Sequence, residues 1–222
     1  MAITVENLSK FRYFKGAEPG RLAGLPQLFT ERTYQKGQAI VSEGDASQNL
    51  YFVGAGVVKI FKMSPEGKEQ IIKLARPGDS FNDPAVFSSG PGPYTAQAMG
   101  ATTIYVIGKS DLLPFMEKNW LVAGNALEEL AEQERLLLTL VEDLSFKNVT
   151  GRVAKILLQN AAAGPEGVHR LTQYEMAAMA RTAREVVGRS LKALEDSGAI
   201  KLDRHRIVIV NKEYLDRLAG LS

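Results

Sequence analysis

Three charged residues of kinds able to read nucleic acid bases stand close together near the C-terminal end of the chain. They are Arg184, Glu185 and Arg189, within the stretch TAREVVGRSLKALEDSGAI that runs from Thr182 to Ile200. Val187, Leu191 and Leu194 recur among them at helical spacing. A helix beginning near Ala183 would turn those three inward and leave Glu185, Gly188, Arg189 and Lys192 on the opposite side, with Arg184 flanking them at the N-terminal end. Arginine can donate two parallel hydrogen bonds to O6 and N7 of guanine, and glutamate can accept from N4 of cytosine. Each good bidentate pair is worth about 1–3 kcal/mol of base discrimination. Lys192, one turn further along, would then sit near a phosphate. The same charges also fit a plain solvated face carrying a Glu185 to Arg189 pair at i,i+4, a contact worth only about 0.2–0.5 kcal/mol.

The neighbouring sequence favours the first reading. Thr172 and Glu175 stand three apart ahead of an apolar run, a capping box in which each side chain satisfies an amide donor of the first helical turn. A short helix is predicted from there to about Met179, then a turn, then the helix described above, which Asp196-Ser197-Gly198 ends. The stretch AIKLDRHRIVIVN reads as a short strand pair behind it. Two short helices joined by a tight turn, the second presenting polar groups at its N-terminal half, form a helix-turn-helix with a wing. Charge is distributed to suit: residues 1–150 carry 15 Lys and Arg against 17 Asp and Glu, whereas 151–222 carry 12 against 8. A basic module on a slightly acidic body suits a polyanion.

The elements that must position this module occupy the rest of the 222 residues, a length that fits one large fold or two smaller ones. From about Thr33 to Lys109 short runs rich in Val, Ile, Phe and Tyr alternate with turn signals such as Glu43-Gly44-Asp45, Pro65-Glu66-Gly67 and Pro77-Gly78-Asp79. Such punctuation predicts an antiparallel barrel or jelly roll. Between about Asp111 and Lys147 strong helix formers predict one long helix. Leu127, Leu130, Leu137, Val141 and Leu144 recur on it at alternating spacings of three and four, with Glu134 the polar residue on the seam. Two copies could bury this stripe against each other, or the helix could lie on its own barrel. The expected division is residues 1–110 as a β-roll sensor, 111–147 as the long helix region and 148–222 as the DNA-binding domain.

Composition narrows the chemistry. Hydrophobic residues make up 45% of the chain and charged residues 23%, ordinary for a globular protein. There is no cysteine, which removes disulfides, thiolate-bound zinc, cysteine-ligated iron–sulfur clusters and a cysteine nucleophile. The N-terminal MAITVENLSKFRYFKG has no apolar core of signal-peptide length, and no run reaches the roughly 18 apolar residues of a membrane span. The cytoplasm, with no membrane partner, is the expectation. With two histidines and no metal-ligand or nucleotide-triphosphate motif, no convergent set of acid, base and nucleophile is evident, so an enzyme is not expected.

The pieces LSFKNVTGRVAKILL and REVVGRSLKALEDSGAI resemble the winged helix-turn-helix of the catabolite activator/FNR (CRP/FNR) family of bacterial transcription regulators. KGQAIVSEGD, LYFVGAGVVKIF, GKEQIIKLARPGDSF and TAQA resemble its cyclic-nucleotide-binding type of β-roll, with Gly37, Gly44, Gly56, Gly67 and Gly78 at its turns. The resemblance implies an α+β chain: an N-terminal β-roll, a long dimerisation helix and a C-terminal winged helix-turn-helix. It further implies a homodimer on double-stranded DNA, reading a palindrome of GTGA-like half-sites through Arg184, Glu185 and Arg189. These fall in the R-E-x-x-G-R form of the catabolite-activator branch, and the E-x-x-S-R form of the FNR branch is absent. Thr172, Gln173 and Lys192 fall at backbone-contact positions, and RNA polymerase is the implied protein partner. Two departures lie in the turn, where Arg181 replaces a usual glycine and Ala183 a usual serine cap. Left-handed geometry costs a non-glycine residue roughly 1–2 kcal/mol, so a rebuilt turn with Thr182 as the cap is expected.

The resemblance also places a ligand pocket in the β-roll, at Phe81, Asn82, Asp83, Tyr94 and Thr95, with Leu137 and Leu138 on the long helix. In the family's cyclic AMP site an arginine pairs with the cyclic phosphate; here that position is Tyr94, which removes the charge-assisted anchor. Leu137 and Leu138 stand where polar side chains would meet the purine. Cyclic AMP is therefore not the expected effector. An uncharged or hydrophobic small molecule, or no effector at all, fits these residues better. Iron–sulfur sensing is excluded by the missing cysteines. Haem is left as an alternative that would need Met, Tyr, Lys or the N-terminus as ligands, because His169 and His205 fall in the DNA-binding region. The other alternative is a cyclic-nucleotide-responsive signalling module whose C-terminal helices bind protein.

Overall fold

A computed structural model describes residues 3–88, 90–162, 171–203 and 206–220. The chain forms two units, Met1–Lys62 with Ile72–Leu136, and Met63–Ile71 with Leu137–Ser222. In the N-terminal region the strands are β1 (Thr30–Tyr34), β2 (Ala39–Val41), β3 (Asn49–Ala55), β4 (Val58–Met63), β5 (Glu69–Ala75), β6 (Ser80–Phe81), β7 (Thr95–Ala98) and β8 (Thr102–Gly108). They build two four-stranded sheets, in the orders β1-β8-β3-β6 and β2-β7-β4-β5. β8 pairs antiparallel with both β1 and β3, and β7 with both β2 and β4.

Strand β3 explains how the sequence LYFV becomes the centre of this unit. Successive strand residues point to opposite faces, so Tyr51 and Val53 enter the core between the sheets with Val58, Ile60, Phe81, Ile104 and Val106. Leu50 and Phe52 enter a second cluster on the other face. Both faces are buried, and the strand accordingly reads as a continuous apolar run. The rings of Phe11, Tyr13, Phe14 and Phe29 stand 5.0, 5.4, 5.5 and 5.7 Å from that of Phe52. This second cluster is covered by the N-terminal segment, which includes α1 (Val5–Leu8) and α2 (Pro19–Leu22), and by the helices that follow β8. A short helix, α3 (Asp83–Phe87), sits between β6 and β7. Gly37, Gly44, Gly56, Gly67 and Gly78 all have positive φ, as turn positions require.

The single long helix expected from about Asp111 is two helices, α4 (Lys109–Lys118) and α5 (Trp120–Phe146). The break falls at Asn119, whose backbone leaves the helical region at φ −134° and ψ 76°. Its side-chain amide donates to the carbonyl of Phe115 at 2.8 Å, satisfying one acceptor that the interrupted helix leaves open.

The C-terminal region contains α6 (Val149–Ala162), α7 (Gln173–Ala180), α8 (Arg184–Asp196), β9 (Ile200–Asp203), β10 (Arg206–Ile209) and α9 (Lys212–Ala219). Its core gathers Val153, Ile156 and Leu157 of α6, Met176 and Ala180 of α7, Val187, Leu191 and Leu194 of α8, and Leu215 of α9. β9 and β10 pair antiparallel, with Leu202 opposite Ile207. Helix α9 lies beyond the predicted strand pair and was not expected; Asn211 caps it by accepting from the Tyr214 amide at 3.0 Å. It packs so closely on α6 that a Cβ at Gly151 would stand 2.6 Å from the Leu218 carbonyl oxygen. Glycine at 151 is what permits that approach.

Candidate nucleic-acid interface and sensor pocket

The capping box forms at the start of α7. The Glu175 amide donates to Thr172 Oγ1 at 3.1 Å, and the Thr172 amide donates to Glu175 Oε2 at 2.7 Å. This fixes where α7 begins and hence where its last residue, Ala180, delivers the turn. Arg181 adopts φ 53° and ψ 56°, the left-handed conformation that the turn needs. The amides of Arg181 and Thr182 both reach back to the Ala177 carbonyl, Thr182 at 3.1 Å. The rebuilt turn expected from the sequence is therefore not formed: the geometry is kept with an arginine in it. Nor does Thr182 cap the next helix. Its N-cap is Ala183, in extended conformation and with no side-chain bond. The two hydrogen bonds to Ala177 close this turn in place of glycine's conformational freedom.

Helix α8 buries Val187, Leu191 and Leu194 and leaves Arg184, Glu185 and Arg189 exposed. The trio thus occupies the solvent side of the N-terminal half of the second helix, as its spacing predicts. Gln173 borders the same face, since a Cβ on Gly188 would lie 3.9 Å from Gln173 Oε1. Thr172 is exposed too, but its hydroxyl donates to Glu175 Oε2 at 2.9 Å. Lys192 is exposed and pairs with Glu195 at 3.0 Å and Asp196 at 3.1 Å. Hydrogen bonds to those two carboxylates raise its pKa, and the Lys192 bond in turn lowers that of Glu195. His169 and His205 lie outside the described residues.

In the β-roll, Asn82 and Tyr94 are bonded to each other, and the polar groups of Asn82, Asp83 and Thr95 are bonded to other residues of their own unit. Asn82 has φ 77°, and its backbone amide donates to the Tyr94 hydroxyl at 2.7 Å. Its side-chain amide holds the carbonyls of Ser47 and Asn49 at 3.2 and 2.8 Å. Thr95 Oγ1 accepts from the Glu43 amide at 3.1 Å. The buried Asp83 accepts from the Tyr13 hydroxyl and, at 3.1 Å, from Gln133 of α5. Burial and then the Asp83 charge push the phenols of Tyr13 and Tyr94 well above the usual tyrosine range. Both stay protonated and can donate.

Tyr13 and Gln133 were not singled out from the sequence. Gln133 belongs to a ridge of polar residues four apart on α5, with Asn125 and Glu129, and the other two hold the segment that carries Tyr13. Asn125 donates to the carbonyls of Tyr13 and Lys15, both at 2.9 Å, and Glu129 meets Arg12 at 3.4 Å. Burial raises the Glu129 carboxyl, opposed by Arg12. Spacing of four on a helix is the signal that could have found this ridge. Leu137 and Leu138, expected at the pocket, are 52% and 63% exposed, and Gln133 is the α5 residue bonded to it. Leu127, Val141 and Leu144 are likewise exposed, while Leu130 is half-buried.

A helix-turn-helix with an exposed arginine–glutamate–arginine set, carried by a chain with a β-roll, is the architecture of a DNA-binding regulator. Residues 31–119 match the cyclic nucleotide-binding domain family, and residues 151–218 the Crp-like helix-turn-helix domain family. Among similar proteins is the CRP-like cAMP-activated global transcriptional regulator of Mycobacterium tuberculosis, 31% identical over 96% of this chain and 99% of its own length. The cyclic AMP receptor protein of Thermus thermophilus is 30% identical over 94% and 97%. Among solved structures, FixK2 from Bradyrhizobium japonicum superposes with a TM-score of 0.76 at 25% identity, over 86% of this chain and 96% of that one. The chain belongs to the CRP/FNR family of transcription regulators, and it is a DNA-binding regulator with a cyclic nucleotide-binding-like domain. Among the described residues, no helix is long and apolar enough to cross a membrane.

Proposed function

We propose that the protein acts as a homodimer on a palindrome of GTGA-like half-sites, with Arg184, Glu185 and Arg189 reading bases in the major groove. The observation that carries this is the exposure of all three on one helix whose apolar side is anchored in the core. Gln173 and Lys192 flank the trio for contacts to the phosphate backbone, and Thr172 joins them once its hydroxyl turns from Glu175. The second copy covers the apolar stripe of α5, where Leu127, Leu137, Val141 and Leu144 stand exposed. Bare leucines at alternating three and four spacing are what paired helices bury. Half-sites then lie about one helical turn of DNA apart. RNA polymerase is the expected protein partner, the cytoplasm the expected place, and catalysis no part of the role.

The β-roll controls this binding through a ligand or state other than cyclic AMP. Relatives named for cyclic AMP share the domain. In this chain, however, Tyr94 stands where the family resemblance implies the phosphate-pairing arginine, and its hydroxyl already takes the bond of the Asn82 amide. An incoming phosphate would meet the Asp83 carboxylate with no arginine at 94 to balance it. A shift in the Tyr13–Asp83–Gln133 bonds moves α5, and through it the recognition helices, between two states. The test is fluorescence anisotropy on a GTGA-type palindrome and a scrambled duplex, with and without cyclic AMP. The expected result is preference for the palindrome that added cyclic AMP leaves unchanged. Equal affinity for both duplexes in every condition would refute the DNA-site assignment, and a cyclic AMP requirement would refute the pocket assignment.

A further inference from the structure

The end of α5 is fastened to the DNA-reading helices by a buried cluster that neither the base-reading trio nor the sensor pocket uses. Asp143 and Lys155 of α6 have side chains only 9% and 8% exposed, and Lys155 Nζ lies 2.5 Å from Asp143 Oδ2. Lys147 Nζ meets the other carboxylate oxygen at 2.8 Å. Burial alone would raise the Asp143 carboxyl, but the bonds from Lys147 and Lys155 outweigh it and hold the group below the usual carboxylate range. The Lys147 ammonium also lies by the C-terminal end of α9, where a Cβ on Gly220 would come within 3.5 Å of it. A helix C-terminus favours a cation.

The fastening continues through α6. Arg152 donates from Nη1 to the Lys147 carbonyl at 2.6 Å and from Nε to the Ala180 carbonyl at 2.9 Å. One guanidinium thereby spans the link after α5 and the last carbonyl of α7, directly before the recognition turn. Its charge lies close enough to Arg181 to help burial lower the pKa of that residue. Thr150 Oγ1 meets Ser190 Oγ of α8 at 3.2 Å. Asn148 Oδ1 accepts from the Gly151 amide at 2.8 Å, which starts α6. Both residues of the Lys147-Asn148 link are thus committed, one through its carbonyl and one through its side chain.

We propose that Asp143 is a positioning residue for DNA recognition: through Lys155, with Arg152 beside it, Asp143 sets the direction in which α6 and the α7–α8 pair leave the end of the long helix. Apolar packing tolerates sliding, whereas a buried ion pair is satisfied in one geometry, and specifying register is the best-attested use of such pairs. In a twofold assembly that direction sets the separation of the two recognition helices. The inference rests on the dimeric reading given above.

Removing one partner of a buried pair can unfold a protein, so the test uses Asp143→Asn together with Lys155→Met in the full chain, which removes the buried Asp143–Lys155 pair and leaves an amide oxygen at position 143 to accept from the Lys147 ammonium, whose side chain is 15% exposed. Folding is checked by circular dichroism and thermal melting. Affinity is then measured for palindromes whose half-sites are separated by the native spacing and by one base pair more and less, and for single-base substitutions within the half-site. The folded double variant is expected to lose about two- to thirtyfold in affinity at the preferred spacing and to discriminate spacings less, while its order of preference among half-site bases is unchanged. Asp143→Glu, which keeps the charge, is expected to retain part of the spacing preference. A folded double variant with wild-type affinity and spacing preference would overturn the role of Asp143 while leaving the dimeric reading intact. A changed base preference would overturn it as well, since the residue would then act on the reading face. A wild-type protein indifferent to spacing would overturn the twofold reading, and the role of Asp143 with it.

Discussion

Among the described residues, Arg184, Glu185 and Arg189 have no ion pair, whereas Lys192 has two carboxylate partners. Exposed ion pairs are weak and screened, so Lys192 can exchange Glu195 and Asp196 for a phosphate at small cost. Lys192→Ala is expected to weaken binding to specific and random duplexes alike and to flatten the dependence of log affinity on log salt by about one unit, read from anisotropy titrations at several salt concentrations. Tyr94 makes the second prediction at this scale. Tyr94→Arg supplies the cation that the site lacks, and isothermal titration should detect cyclic AMP binding in the variant and none in the parent. The trio and Lys192 were legible because helical spacing is a local property, and Tyr94 through the family resemblance. Tyr13 and Gln133 were not: their bonds to Asp83 join positions 70 and 50 apart, and no local pattern carries that pairing.

At the scale of elements, the winged helix-turn-helix was readable because each boundary has its own signal: the Thr172–Glu175 box, the periodic leucines and the Gly198 stop. The turn itself was read wrongly. The cost of a left-handed arginine argued for a different geometry, but the backbone bonds of Arg181 and Thr182 to Ala177 offset that cost. The break at Asn119 was hidden by the helix formers on both sides of it. Helix α9 was missed as well, and it has a measurable consequence through Gly151. Gly151→Ala drives a methyl group against the Leu218 carbonyl, a small-to-large change expected to destabilise the C-terminal region by about 1–3 kcal/mol. Denaturant unfolding monitored by circular dichroism measures it. A variant as stable as the parent would mean that α9 does not pack as described.

For the whole molecule, the proposed dimer makes the apolar stripe on α5 the link between DNA recognition and self-association. Leu137→Asp with Val141→Asp places charges on two of its exposed positions, which a paired helix could not bury without partners. Sedimentation equilibrium is expected to give a dimer for the parent and a monomer for the variant, and the variant should bind a palindrome no better than a single half-site. The stripe was visible in the sequence as a spacing, but its partner was not, since the same spacing also suits a helix lying on its own barrel. Leu127, which lies in the same unit as the barrel, is 67% exposed, and that favours the second copy.

The central claim, that the trio on α8 reads bases, is tested most directly by measuring the affinities of the parent and of Arg189→Ala for a GTGA-type palindrome and for its set of single-base substitutions. The expected result is that the parent loses about 1–3 kcal/mol when one particular guanine is replaced, whereas Arg189→Ala binds the original and that substituted duplex equally and keeps its preferences at the other positions. An Arg189→Ala protein with the parent's full pattern of base preferences would contradict the account.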